Sequence, residues 1–274
     1  MRLLVLVCLI ARILSAETHC FDDSMLSAAD REYARELLLK ALDREALYTF
    51  AGGLKPLSIG FASLHVSTEG GADLAPATRL RRIMPAFACD GIWEAQLLHS
   101  GFVIDGERYI NAVVYHRGHF AEVLRRRPEL FESYGLTPEA HPVEVLMAVE
   151  SARESQASLM LGHLLGYPPA AIDFFYAASR EQARTGLFVR RTFRAPESFQ
   201  KQNYFVWAVP LGSTDDSDTQ AIMSCAADIL REYKKRRDRF VGEGKPGPFA
   251  LLRDWKKDGF PTCAAHAWTS GAAR

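Results

Sequence analysis

Residues 93–115 read WEAQLLHSGFVIDGERYINAVVY, and this stretch predicts the centre of the fold. Two runs rich in aliphatic, β-branched and aromatic residues flank Asp105-Gly106, which is a preferred two-residue turn between antiparallel strands. Both faces of the predicted hairpin carry apolar side chains. A sheet with two apolar faces has to be covered on both sides, so we expect helices above and below it.

A two-residue turn also predicts the register of this hairpin. Leu98 is expected to face Val113, and Glu94 is expected to face Arg117 as a favourable cross-strand pair of opposite charges.

Three further stretches predict strands, and most of the remaining chain has helical patterns. The strand-like stretches are LSIGFASLHV at 57–66, GLFVRRTF at 186–193 and YFVWAVP at 204–210. Helical periodicity is clearest at 27–42, through much of 116–184, at 213–240 and at 249–258. We therefore predict an α+β fold with a mostly antiparallel sheet of about five strands, covered by helices.

The first residues, MRLLVLVCLIARILSA, resemble an export leader in their organisation. A basic residue precedes a short apolar run that ends in small residues, and the run is too short to span a bilayer as a mature helix. This predicts a signal peptide at 1–16, a single domain at 17–274 and a periplasmic or extracellular location, with no integral membrane span after leader removal. The alternative is a cytoplasmic protein whose translation starts at Met25.

Four cysteines follow the predicted leader, which is an even number and fits up to two disulfides in an exported protein. They are Cys20, Cys89, Cys225 and Cys263, and their spacing leaves all three pairings open. No two of them form a CxxC motif, which disfavours a structural zinc site.

The charge balance disfavours nucleic acid as a partner. Lys+Arg and Asp+Glu both count 33, so no net field attracts an anionic polymer. The basic runs RLRR, LRRR and KKRRDR lie in helical stretches, where solvated faces explain them.

One histidine lies within a largely apolar stretch, LMLGHLLGYPPAAIDFF at 159–175. His163 is a candidate general base or ligand, with Asp173 as the carboxylate that would orient it. The alternative, which we favour, is a neutral core histidine that forms a hydrogen bond with a backbone carbonyl. The stretch predicts a helix, a corner at Gly166 and a second helix that begins at Pro169.

A second histidine group, His116, His119 and Glu122, is a candidate metal site. If these residues lay on one helix, the three-residue steps would place two imidazoles and a carboxylate on the same side. The alternative is a junction between a strand and a helix, because Gly118 disfavours helix at this point.

The loop GGLKPLS at 52–58 offers a lysine and glycine amides that could bind an anion. It lacks the spacing of a phosphate-binding loop, so a helix end followed by a turn is the favoured interpretation.

No familiar catalytic motif accompanies these residues. The sequence therefore predicts an exported, non-catalytic protein that binds a small ligand or a protein. The alternative is a hydrolase that uses the histidines and nearby carboxylates, with or without a metal ion. The sequence predicts no particular cofactor.

Overall fold

The computed structural model describes residues 20–201, 203–261 and 263. The predicted signal peptide at 1–16 lies outside these residues. Within them the fold is α+β, as predicted. The single-domain prediction for 17–274 is not tested and stays a prediction.

Five strands form two antiparallel sheets in the described residues. The larger sheet contains β1 (Leu57–Ser67), β2 (Trp93–Ile104) and β3 (Glu107–His116) in the order β1-β3-β2. The smaller sheet pairs β4 (Arg191–Arg194) with β5 (Trp207–Pro210). Each strand of the smaller sheet is shorter than the apolar stretch that predicted it, because the two strands pair over only four residues.

The same residues form ten α-helices. They are α1 (Ala28–Leu42), α2 (Leu47–Phe50), α3 (Ala75–Ile83), α4 (Arg117–Arg126), α5 (Pro128–Phe131), α6 (Pro142–Ser151), α7 (Glu154–Leu164), α8 (Pro169–Thr185), α9 (Ser217–Phe240) and α10 (Pro248–Asp258). Two 3₁₀ turns, Met84–Phe87 and Glu132–Tyr134, follow α3 and α5. Among the described helices, none is long and apolar enough to cross a membrane.

The hairpin has the predicted turn, but the predicted register is wrong beyond it. Ile104 faces Glu107, and the pairing then shifts between His99 and Val103. Leu98 consequently faces Asn111, and Glu94 faces Tyr115.

The cause of the shift is a pair of extra residues in β2, an irregularity of the β-bulge kind. A shift of two leaves Leu98 on the same face as Val113, as predicted, because side chains alternate with a period of two. The predicted charge pair also forms, since Arg117 Nη1 lies 3.0 Å from Glu94 Oε1 although the two residues are not directly opposite.

Each face of the larger sheet contributes to a separate core, as its two apolar faces predicted. Ala112 and Val114 pack into a core with α1–α3 and α9–α10. Val113 and Tyr115, on the opposite face, pack into a second core with α4–α7. The sheet therefore lies between two groups of helices.

The structure resolves the cysteine pairing that spacing left open. Cys20 pairs with Cys89, and Cys225 pairs with Cys263, in each case at disulfide distance. The first pair links the start of the described chain to the segment before β2. The second links α9 to the residues that follow α10.

Candidate functional site

His163 is enclosed in the second core, on α7, with 4% of its surface exposed. Its Nε2 lies 3.1 Å from Arg127 Nε and 2.9 Å from Arg127 Nη2. A guanidinium can only donate, so Nε2 accepts and the ring is neutral. Burial, together with the nearby Arg127 cation, lowers the pKa of His163 to about 3.

Asp173 does not serve His163 in this arrangement. It lies exposed on the first half of α8, and within the described residues no hydrogen bond or ion pair joins it to the imidazole. The helix, corner and second helix predicted for this stretch are present. The partner of His163 is the guanidinium of Arg127, which follows α4, rather than the carboxylate or the backbone carbonyl that the sequence predicted.

His116 and His119 lie at a strand-to-helix junction, as the alternative interpretation expected. His116 ends β3 and caps α4, because its Nδ1 accepts a hydrogen bond from the His119 backbone N–H at 3.2 Å. The two rings stack with centroids 3.7 Å apart. Burial lowers the pKa of His116 to about 4, which keeps this imidazole neutral at physiological pH.

Glu122 does not join the two imidazoles. It pairs with Arg125 and Arg126 along α4, and these hydrogen bonds and charges lower its pKa. In the described part of the chain, the one group of three metal-ligating side chains with clustered donor atoms is Cys20, Cys89 and Asp90. Its two cysteines form a disulfide, so their sulfurs are not thiolate ligands.

Every residue of the GGLKPLS loop is buried. Lys55 is fully buried and forms an ion pair with Glu45, which is also buried, and its Nζ lies 4.9 Å from the centre of the Phe205 ring. Burial lowers the pKa of Lys55, and the Glu45 carboxylate opposes this effect. The ammonium therefore faces an internal carboxylate rather than an external anion.

Close packing explains the glycines around this loop. Gly53 has a φ of +62°, and a side chain there would collide with the His119 ring. Gly166 has a φ of +75° and lies against the Leu54 carbonyl, where no Cβ fits. Both positions thus require glycine for a structural reason.

A groove of about 410 Å³ lies between β2 and the segment that follows α3. Its volume is within the range typical of ligand sites. One wall is formed by Arg81, Met84, Pro85 and Ala88, and the other by Glu94, Ala95, Gln96, Leu97 and His99. The groove therefore follows β2 lengthwise.

The backbone of β2 is open on the groove side. Toward β3, the Arg117 N–H donates to the Ile92 carbonyl; on the opposite side, Trp93 exchanges two backbone hydrogen bonds with Cys89. Backbone groups in an antiparallel strand alternate between its two sides. The backbone groups that point away from β3 further along are therefore those of Ala95, Leu97 and His99.

These outward groups have no strand beside them. β2 is an edge strand of the sheet, and among the described residues the bridge to Cys89 is the one backbone pairing on its outer side. Beyond this bridge, three N–H and three C=O groups face the groove without a β-sheet neighbour. Such a row is a template for another extended chain.

A polar cluster lies beside the same strand. The Tyr115 hydroxyl donates to Glu94 Oε2 at 2.8 Å and accepts a hydrogen bond from Gln96 Nε2, and His141 Nε2 lies 3.9 Å from Glu94 Oε2. Burial and the Glu94 carboxylate raise the pKa of Tyr115, so its phenol stays protonated. The cluster fixes Glu94 and Gln96 at the groove.

Sequence analysis missed both the groove and the Lys55–Glu45 pair. The alternation of β2 identifies a strand, but strand order, which makes β2 an edge, depends on the tertiary fold. The lysine in an otherwise apolar loop was a signal, yet its partner lies ten residues earlier, in a different segment.

Comparisons with known proteins give no functional information about this chain. No protein-family model matches it. No curated protein and no solved structure is significantly similar to it. Its function therefore has to be argued from the geometry of its own residues.

Proposed function

We propose that this protein is an exported, non-catalytic protein that binds an extended peptide segment along the outer edge of β2. The observation that carries the proposal is the row of outward backbone groups at Ala95, Leu97 and His99, which face a groove that follows the strand. A bound strand would complete their hydrogen bonds. Adding a strand to an exposed sheet edge is a recurring mode of peptide recognition.

The groove walls indicate the side chains that such a peptide would carry. Leu97 and Met84 give the groove an apolar side. Glu94 and Gln96 also line the groove, but they lie on the face of β2 opposite to Leu97. Side chains of an added strand would alternate between these two surroundings. We therefore expect a peptide in which apolar and polar residues alternate.

The histidines support a non-catalytic role. His163 is enclosed and accepts hydrogen bonds from Arg127, and His116 caps a helix. A general base needs to reach a substrate proton within hydrogen-bond distance. The hydrolase alternative gains less support than peptide binding, because these imidazoles are engaged inside the fold.

The cysteine pairs and the start of the described chain support export. Disulfides persist in oxidising compartments, and both pairs are at bonding distance. Phe21 is fully buried beside Phe50 and Trp93, and Cys20 pairs with Cys89. A chain that started at Met25 would lack Phe21 and Cys20, so this packing favours a start further upstream.

The test is a selection of binders from a displayed library of random peptides, with the oxidised protein as bait. We expect the selected peptides to alternate apolar and polar residues. When they bind, they should slow hydrogen exchange at the amides of Ala95, Leu97 and His99. Peptides that protect a different surface, or the failure to select any binder, would count against the proposal.

A proline substitution sharpens this test. Ala95→Pro removes one outward N–H without removing a hydrogen bond to β3, and proline is tolerated on strand edges. We expect Ala95→Pro to weaken peptide binding by about tenfold, the cost of one backbone hydrogen bond of roughly 1–1.5 kcal/mol. Ala195→Pro, at an exposed alanine outside both sheets whose N–H forms no hydrogen bond among the described residues, is the matched control and should bind as wild type.

A further inference from the structure

A second surface, distinct from the groove, carries exposed apolar side chains beside the smaller sheet. Leu187 is 71% exposed, Phe188 64% and Phe193 63%, and Leu211 and Phe175 are exposed as well. Single exposed apolar residues are ordinary in proteins. Five of them in one neighbourhood need an explanation.

Contacts and strand pairing place these residues together around Arg191. The Arg191 guanidinium lies 4.4 Å from the centre of the Phe188 ring and 5.6 Å from that of Phe175. Phe193 is two residues along the same strand and thus on the same face as Arg191. Arg191 also faces Pro210, which precedes Leu211. We call this group the Arg–Phe surface: Phe175, Leu187, Phe188, Arg191, Phe193 and Leu211.

The Arg–Phe surface is locally basic in a chain without net charge. Residues 180–194 contain five arginines and one acidic residue, Glu181. Arg184 pairs with Glu181, and Arg194 pairs with Asp215. Within the part of the chain that the structure describes, no ion pair with a carboxylate is formed by Arg180, Arg190 or Arg191.

We propose that the Arg–Phe surface binds the surface of a membrane that contains anionic lipids. Leu187 and Phe188 follow the left-handed turn at Gly186 and project as consecutive exposed side chains, suited to insertion among lipid headgroups. The guanidinium groups that form no ion pair with a carboxylate complement lipid phosphates. Aromatic and leucine side chains combined with arginines are the composition of interfacial membrane-binding segments.

The same features disfavour a second copy of this chain as the occupant. A symmetric dimer would bring this basic surface against itself and place like charges together. The membrane proposal is independent of peptide binding at β2.

The test is co-sedimentation of the full, oxidised protein with two kinds of vesicle. One kind is pure phosphatidylcholine, and the other contains about 30 mol% phosphatidylglycerol. We expect binding to the anionic vesicles alone, and we expect it to weaken as salt is added. Equal binding to both vesicles, or binding to neither, would overturn the proposal.

Two double variants locate the binding surface. Arg190→Gln with Arg191→Gln should weaken binding to anionic vesicles about thirtyfold, since each basic residue near such a membrane contributes roughly fivefold. Phe188→Ser with Phe193→Ser should weaken it as well, because apolar insertion is lost. Lys234→Gln with Lys235→Gln removes the same charge from an exposed part of α9 and should bind as wild type.

The controls distinguish binding by the Arg–Phe surface from binding that depends only on the total charge of the protein. Each variant should keep the melting temperature of the wild type, because its substituted residues are not buried. If the α9 variant lost as much binding as the Arg190 and Arg191 variant, binding would reflect total charge and the Arg–Phe surface would not be the site. A soluble complex between the protein and an acidic peptide, in the absence of any vesicle binding, would also reject the proposal.

Discussion

The two sheets of this protein differ in how far the rest of the described chain covers their apolar side chains. In the larger sheet, neighbouring residues of β3 such as Val113 and Val114 point to opposite faces, and both are fully buried. In the smaller sheet, Trp207 and Ala208 are buried, but Phe193 on the paired strand remains largely exposed. An apolar strand pattern therefore predicts a strand, but not whether a partner inside the same chain covers each face.

The length of the strands and their neighbours account for this difference. The three long strands of the larger sheet give two broad faces, and helices from both halves of the chain pack on them. The four-residue strands of the smaller sheet give a narrow surface, and α8 packs against β5. The outer face of β4 is left for solvent or for a partner.

The largest expected effect comes from truncating one phenylalanine in each region. Phe120→Ala in the second core should lower the free energy of unfolding by about 3–5 kcal/mol, because it removes buried contacts and leaves a cavity. Phe193→Ala should change it by less than about 0.5 kcal/mol, as is usual for exposed positions. Chemical denaturation measures both values. Similar losses for the two variants would show that β4 is covered in solution.

The second prediction concerns charge in the covered region. Lys55→Ala should destabilise the fold by about 3 kcal/mol or more, because it leaves the Glu45 carboxylate buried without its partner. Replacing both residues, Lys55→Met with Glu45→Leu, should restore much of that stability. Arg190→Ala on the exposed surface is the matched control and should melt as wild type. If the double variant were no more stable than Lys55→Ala, the unpaired Glu45 carboxylate would not be the cause of the lost stability.

The smallest expected effect, on the order of 1 kcal/mol for each pH unit, is a pH dependence of stability that arises from His163. The pKa of this residue is about 3 in the fold, against an ordinary value of 6.5. Between these values the unfolded chain binds a proton that the folded chain does not. His163 therefore leaves the free energy of unfolding unchanged above pH 6.5 and lowers it as the pH falls toward 3.

The slope that His163 adds is on the order of 1 kcal/mol per pH unit within that window. His163→Gln should unfold with a shallower dependence on pH, and the loss of packing should also lower its stability at neutral pH. Urea melts of both proteins at several pH values measure the two slopes. Parallel curves would show that His163 is not the group responsible.

Local patterns were enough to predict much of the fold. The Asp105-Gly106 turn, the α+β class and the corner at Gly166 all follow from signals within a few residues of one another. The register beyond the turn could not be predicted, because the extra residues of β2 keep the side-chain alternation intact. The candidate site could not be predicted either, because the backbone groups of β2 are free to pair with a peptide only when the strand order places β2 at the edge of the sheet.

The sequence by itself determined the elements, the two apolar faces of the hairpin and the presence of four cysteines after the predicted leader. Tertiary structure alone decided which cysteines pair, that His163 binds Arg127, that Lys55 binds Glu45, and which strand has a free edge. The physical reason is the separation along the chain of the residues that interact. Turns and periodicity depend on neighbours along the chain, whereas each of these pairings joins separate segments that meet only when both cores are packed.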